Sequence, residues 1–305
     1  MLNIAFLISA YKEPLHLAEL IKHLPSGADF FIHVDAYVDI EPFRIATKGM
    51  NVRFVDHRLH VAWGSFTQVE YQITLLEAAL NSNPNYDFLF ILSAQDYPVW
   101  SNKRILQFLE NNKDRNFIQA ICMDGQAEQY TKNYTQNYYF NNVAITPNSL
   151  KSKIRIAIRR IAKLIIHKPL AFNADGRQYR LYKGSDYFAL TGDTAAYVLQ
   201  QWHDSPELRK YFYTGFAPSE TCIHTILFNS PYSNRCILST GTYHSLKSLT
   251  PLTYIDYSPI IKELTEADYD KIISSDKMFC RKVVTGVSDK LVSMLDKRKE
   301  VPKEL

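Results

Sequence analysis

Apolar positions in the first 120 residues switch between two periods. Residues 3–9 form a nearly continuous apolar run, residues 30–34 a shorter one, residues 51–55 read as a further strand, and residues 87–92 read DFLFIL. Between these runs apolar side chains recur at helical spacing. Leu15, Leu17, Leu20 and Ile21 follow Pro14, which suits a first helical turn, and residues 65–80 continue in the same way. Ser101 stands where a helix running to Leu109 needs a capping hydroxyl, and residues 116–121 read as another strand. Strands alternating with helices predict βαβ units and a mainly parallel sheet, with 87–92 a central strand covered on both faces.

The second half is less regular. Residues 130–142, rich in Tyr and Asn, have neither period and read as a loop, either touching a ligand or pinned to the surface by its own aromatics. Residues 150–170 are a basic amphipathic helix, with Ile154, Ala157, Ile158, Ile161, Leu164 and Ile165 on one face and Lys151, Arg155, Arg159, Arg160 and Lys163 elsewhere. Such a helix fits docking on an anionic membrane surface, where a lipid-linked acceptor is met. It also fits packing against the domain with its basic side in solvent. Residues 1–11 lack the basic start and small-residue cleavage site of a signal peptide and read as the first strand. No apolar run reaches the ~20 residues needed to cross a bilayer.

With 305 residues, 46% of them hydrophobic and 22% charged, the chain fits one large α/β domain, with disorder expected only over 291–305. A net charge of +4 falls short of a nucleic-acid binder and suits a phosphate-bearing substrate or an anionic membrane surface. Cys122, Cys222, Cys236 and Cys280 have no metal-ligand spacing and read as buried small hydrophobes of a reducing, cytoplasmic compartment.

In open α/β sheets, ligands sit beyond the carboxyl ends of the strands, so the loops Ser9-Ala10-Tyr11-Lys12, His33-Val34-Asp35 and the one holding Gln95 and Asp96 are the first candidates. The chain has no G-x-G-x-x-G, no P-loop and no G-x-S-x-G, which disfavours dinucleotide dehydrogenases, P-loop enzymes and nucleophile-elbow hydrolases. Glu220-x-x-x-His224 would share one helical face but lacks a third ligand, and His224 reads as structural.

Four blocks in order resemble the core-2/I-branching β-1,6-N-acetylglucosaminyltransferase family, glycosyltransferase family 14, which also includes peptide O-xylosyltransferases and bacterial enzymes. They are IAFLISAYKEP with FFIHVD at residues 4–35, VAWGSFTQVE with FILSAQDYPV at 61–99, KGSDYFALTGDTAAYVL with FAPSETCIHTIL at 183–227, and LTYIDYS with LTEADYDKIISSDKMFCRKV at 252–283. The resemblance implies a GT-A-type, Rossmann-like mixed sheet flanked by helices. It implies a nucleotide-sugar half over 1–122, a variable segment over 123–182 and an acceptor half over 183–290. The implied reaction is inverting transfer from a UDP-α-sugar, carrying N-acetylglucosamine, xylose or another sugar, to a hydroxyl of a glycan or lipid-linked acceptor. No cofactor or metal is implied.

By the same resemblance Glu220, the acid of the A-P-x-E block, is the general base, and Arg281 and Lys282 hold the diphosphate in place of a metal; an N-terminal helix charge and a surface charge pair are the alternatives. Asp35 is placed for uracil or ribose, Gln95, Asp96 and Ser185 for the sugar. Asp96 fits an Asx turn as well. Bacterial members often carry Arg where this chain has Thr253, so Lys183 or Lys247 could be a substitute cation. Trp63 fits packing or an acceptor platform. Family habit suggests surface polysaccharide synthesis, in the cytoplasm or peripheral to the inner membrane. Two other readings are a metal-dependent transferase, with manganese on Asp35 or Asp96, and a catalytically silent sugar-nucleotide-binding scaffold.

Overall fold

The computed structural model describes residues 2–136, 149–165, 167–257 and 260–300. In chain order the strands are Ile4–Ala10 (β1), Asp29–Val34 (β2), Val52–Phe54 (β3), Phe88–Ser93 (β4), Asp96–Pro98 (β5), Gln119–Cys122 (β6), Ala171–Ala174 (β7), Arg177–Arg180 (β8), Tyr182–Gly184 (β9), Phe188–Leu190 (β10), Ile237–Ser239 (β11), Thr253–Ile255 (β12) and Phe279–Arg281 (β13). The main sheet runs β10-β4-β1-β2-β3, with β1 to β4 parallel and β10 antiparallel to β4. It is therefore mixed, and its β10 comes from beyond residue 183, so the chain's two halves share one sheet.

The continuous apolar runs are explained by two cores. Ile4, Phe6, Ile8, Phe30, Ile32, Phe88 and Phe90 point to one face, under helices Pro14–Lys22, Asn102–Glu110 and Asp289–Glu300. Ala5, Leu7, Phe31, Leu89 and Ile91 point to the other, under Thr67–Ser82 and Gly192–Asp204. Alternation along each strand thus supplies both faces with apolar side chains, each contributing ~1.5–3 kcal/mol when fully buried. The Ser101 cap is present, its hydroxyl accepting from the Arg104 N–H at 3.3 Å.

Four expectations need correction. The run at 116–121 does give a strand, but β6 belongs to a separate sheet, β11-β6-β9. Residues 130–136 are not a loop: they lie in helix Glu128–Gln136, while 137–142 fall outside the described residues. Its surface is mostly polar, and the only helical signal was Tyr130 and Tyr134, four apart. The tail is ordered through residue 300, because Leu291 and Leu295 are fully buried in the first of these cores, with Ile4, Phe6 and Ile8, and Lys299 lies over the Tyr97 ring at 4.5 Å; residues 301–305 lie outside the described residues. The basic helix forms over Leu150–Ile165, with residues 167–170 not helical, and its apolar stripe is not packed on the domain, Leu164 being 79% exposed. Among the described residues no helix is long and apolar enough to cross a membrane.

Candidate active site

Three segments converge on Glu220. It ends a short 3-10 turn, Pro218–Glu220, preceded by Ala217 at φ 43, a left-handed conformation costly for alanine. That backbone is held by the Ala217 N–H donating to the Gly64 carbonyl at 2.9 Å. Lys183, central in β9, is buried and its ammonium donates to Glu220 Oε2, and the Tyr134 hydroxyl donates to the same oxygen at 3.5 Å. The ammonium also lies 5.1 Å from the Tyr134 ring centroid and 5.6 Å from that of Tyr243. Burial alone would pull the Lys183 ammonium down, but Glu220, followed by the two tyrosines, holds it well above its ordinary value. The pair is not symmetric. The Glu220 side chain is 19% exposed and that of Lys183 4%, so the carboxylate is the member that can meet a ligand.

Glu220 and His224 do not form a helical pair, since the 3-10 turn stops at Glu220 and a new helix, Cys222–Phe228, carries His224. His224 is structural: fully buried, edge-on to Phe188 at 5.7 Å, and held near pKa 3 by burial and then by Lys183. Its ring occupies the space where a Cβ on Gly184 would go, alongside the Gln119 carbonyl. Gly184→Ala is therefore expected to cost about 1–3 kcal/mol by overpacking and to disturb the strand that carries Lys183, measurable as a lowered midpoint in chemical denaturation.

The cationic side is built from β5 and β13. Arg281 and Asp96 are register partners, joined Nη1 to Oδ1 at 3.0 Å, and the other Asp96 oxygen accepts from the Ser93 N–H at 2.9 Å. Asp96 is fully buried, and burial raises its carboxyl against the pull of Arg281. Asp96 thus stands behind Arg281 as its counter-ion, and Arg281 also lies over the Tyr187 ring at 4.6 Å. Lys282 is lowered by burial and then by repulsion from Lys12 and Arg281, with Glu263 its nearest carboxylate at 3.9 Å. Three cations thus share one corner. The sequence reading placed Lys12 in a first candidate loop after β1 but gave it no phosphate role. Thr253 is fully buried on β12, Lys183 is committed to Glu220, and Lys247 is paired with Asp256 at 2.5 Å.

The strand-end loops meet as the parallel sheet requires. The Tyr11 hydroxyl donates to Gln95 Oε1 at 3.1 Å, and the Asp35 N–H donates to the Ala10 carbonyl at 2.8 Å. One Asp35 oxygen accepts from the Tyr37 N–H at 2.9 Å, an Asx turn, and Arg58 clamps the same loop through the Val34 and Asp35 carbonyls. Ser185 is buried and accepts from the Tyr187 N–H at 3.3 Å. Trp63 is 78% exposed, with an edge contact to Phe216 at 5.8 Å among the described residues, so most of its ring is open.

Asp186, not singled out from the sequence, lies within electrostatic reach of Glu220, Lys183 and Arg281. Burial and then Glu220 push its carboxyl up to about 7. The folded chain therefore holds this proton up to about pH 7, whereas the unfolded chain releases it near 3.8. Stability falls as pH rises through that window. Asp186→Asn removes the effect, so its stability relative to the native chain is expected to rise by on the order of 1 kcal/mol between pH 5 and pH 8 in urea denaturation.

The family model for core-2/I-branching enzymes matches residues 4–273. The chain belongs to the core-2/I-branching enzyme family. Both clusters except Arg281 and Lys282 lie within the span shared with that family. The chain is similar to xylosyltransferase 2 of Canis lupus familiaris, 28% identical over 66% of this chain and 21% of that one. It is also similar to xylosyltransferase oxt of Drosophila melanogaster, 26% identical over 75% of this chain and 25% of that one. These matches span a quarter or less of the relatives' length. Among solved structures, it is similar to a 4-diphosphocytidyl-2C-methyl-D-erythritol synthase from Anaerococcus prevotii at 11% identity and TM-score 0.39, covering 79% of this chain and 88% of that one. That likeness carries no argument about function. The core-2/I-branching family assignment rests on sequence, and the mixed sheet flanked by helices agrees with the fold it implied.

Proposed function

We propose that the chain is an inverting, metal-independent glycosyltransferase that moves xylose or N-acetylglucosamine from a UDP-α-sugar to a hydroxyl of a glycan or lipid-linked acceptor. The observation that carries this reading is the half-open Glu220 carboxylate fixed by a buried lysine. Inversion is a single displacement at the anomeric carbon: the acceptor oxygen forms the new bond, its proton passes to Glu220, and the bond to UDP breaks. The departing diphosphate gains negative charge, and Lys12, Arg281 and Lys282 supply fixed cations for it, Arg281 being aimed by Asp96. Asp35 and Gln95 take the nucleoside and sugar ends, and Trp63 gives the acceptor an open aromatic face. Xylose is favoured by the xylosyltransferase relatives. Surface polysaccharide assembly, in the cytoplasm or at the inner membrane, is carried over from the wider family.

The test is a thermal-shift screen of UDP-xylose, UDP-N-acetylglucosamine, UDP-glucose and UDP, with and without chelator, followed by release of UDP from any donor that binds. One UDP-sugar at 100 times its Kd should stabilise the fold by about 2.7 kcal/mol, unchanged by chelator. Binding without UDP release would support a silent scaffold, and loss of turnover in chelator a metal-dependent enzyme.

A further inference from the structure

Helix Leu150–Ile165 has an apolar face that nothing in the described chain covers. Leu150, Ile154, Ile158, Ile161, Leu164 and Ile165 are between 43% and 79% exposed. At helical pitch these six fall within an arc of about 120°. The remaining arc is basic in sequence: the helix carries Lys151, Lys153, Arg155, Arg159, Arg160 and Lys163 and no Asp or Glu. Ile156, 47% exposed, is the one large apolar residue on the basic arc.

We propose that this helix docks in the plane of an anionic lipid surface, its apolar stripe among the acyl chains and its basic flanks at the headgroups. The charge pattern selects this occupant. A second copy laid on the stripe would bring the flanking Lys151, Lys153 and Arg160 of both helices together with no acid to offset them, whereas an anionic bilayer offers apolar depth and negative charge to one helix at once. With 16 residues and six charges the helix lies on the surface and does not span it.

The geometry gives the dock a direction. Helix Leu150–Ile165 contacts helix Glu128–Gln136, and the chain leaving it is tied down where the Lys168 N–H donates to the Thr135 carbonyl at 2.8 Å. Tyr134, on that neighbouring helix, touches Glu220. The bilayer therefore lies one helix away from the carboxylate, on the side from which a lipid-linked acceptor would arrive. This consequence for the acceptor rests on the proposed function; the docking does not.

The experiment is co-sedimentation of the full chain with phosphatidylcholine vesicles and with mixed phosphatidylcholine–phosphatidylglycerol vesicles, alongside sedimentation equilibrium without lipid. The chain is expected to bind mixed vesicles at least ~10-fold more tightly than neutral ones. Ile161→Glu with Leu164→Glu, and separately Lys153→Glu with Arg160→Glu, should each weaken that binding at least ~10-fold while leaving circular dichroism and soluble UDP-sugar turnover unchanged. Equal binding to both vesicle types, no binding, or variants that bind like the native chain would overturn the proposal. An oligomer that Ile161→Glu with Leu164→Glu dissolves would assign the face to a second copy. Intact turnover with failed vesicle binding defeats the dock alone; intact vesicle binding without turnover defeats only the transferase reading.

Discussion

Glu220→Gln should lower sugar transfer by at least about 100-fold while UDP binds with near-native affinity, because the side chain keeps its shape but can no longer take a proton. Steady-state kinetics together with UDP titration provide the check. The substitution also leaves Lys183 buried without its counter-charge, and breaking a buried pair costs about 3–5 kcal/mol. Adding Lys183→Met separates the two effects. The double variant should regain stability and still fail to transfer. If it recovers turnover, Glu220 acts only as the partner of Lys183 and not as the base.

Arg281→Met should destabilise the fold by about 3–5 kcal/mol, since it strands the fully buried Asp96 carboxylate between β5 and β13. It should weaken UDP binding as well. Asp96→Asn in the same chain removes the stranded charge, so the midpoint of unfolding is expected to recover while UDP affinity stays low. Recovery of both would make Arg281 a structural ion-pair residue. Loss of stability with unchanged UDP affinity in the single variant would have the same meaning.

The main sheet was legible because each strand between helices feeds two cores, and a doubly covered strand must be apolar along its length, as residues 88–92 are. The edges were harder to read. β10 is only three residues long, and nothing local in Phe-Ala-Leu says that it joins β4 antiparallel after almost a hundred intervening residues. Helix Glu128–Gln136 escaped because its buried side is little more than Tyr130 and Tyr134, too few apolar positions to set a period. The terminal helix was obscured by its Lys-rich end, although Leu291 and Leu295 are spaced four apart, as one buried face requires.

Sequence resemblance picked out Glu220 and Arg281, but not what flanks them. The Lys183–Glu220 pair joins residues 37 apart and the Asp96–Arg281 pair residues 185 apart, contacts that exist only once β9 and β13 have docked. Asp96 shows this most clearly. In sequence it is a polar residue in a strand-end loop, as open to a sugar as to a turn, and only its cross-strand register with Arg281 makes it a counter-ion. Glu220 and His224 show the reverse: a spacing of four meant one face only if one helix held both, and the break after the 3-10 turn separates them.

The most direct measurement is a crystal structure of the chain with UDP bound. The expected result has uridine at Asp35, the diphosphate against Lys12, Arg281 and Lys282, and its terminal oxygen turned toward the open edge of the Glu220 carboxylate. Uridine bound elsewhere, or a diphosphate with no path to that carboxylate, would contradict it.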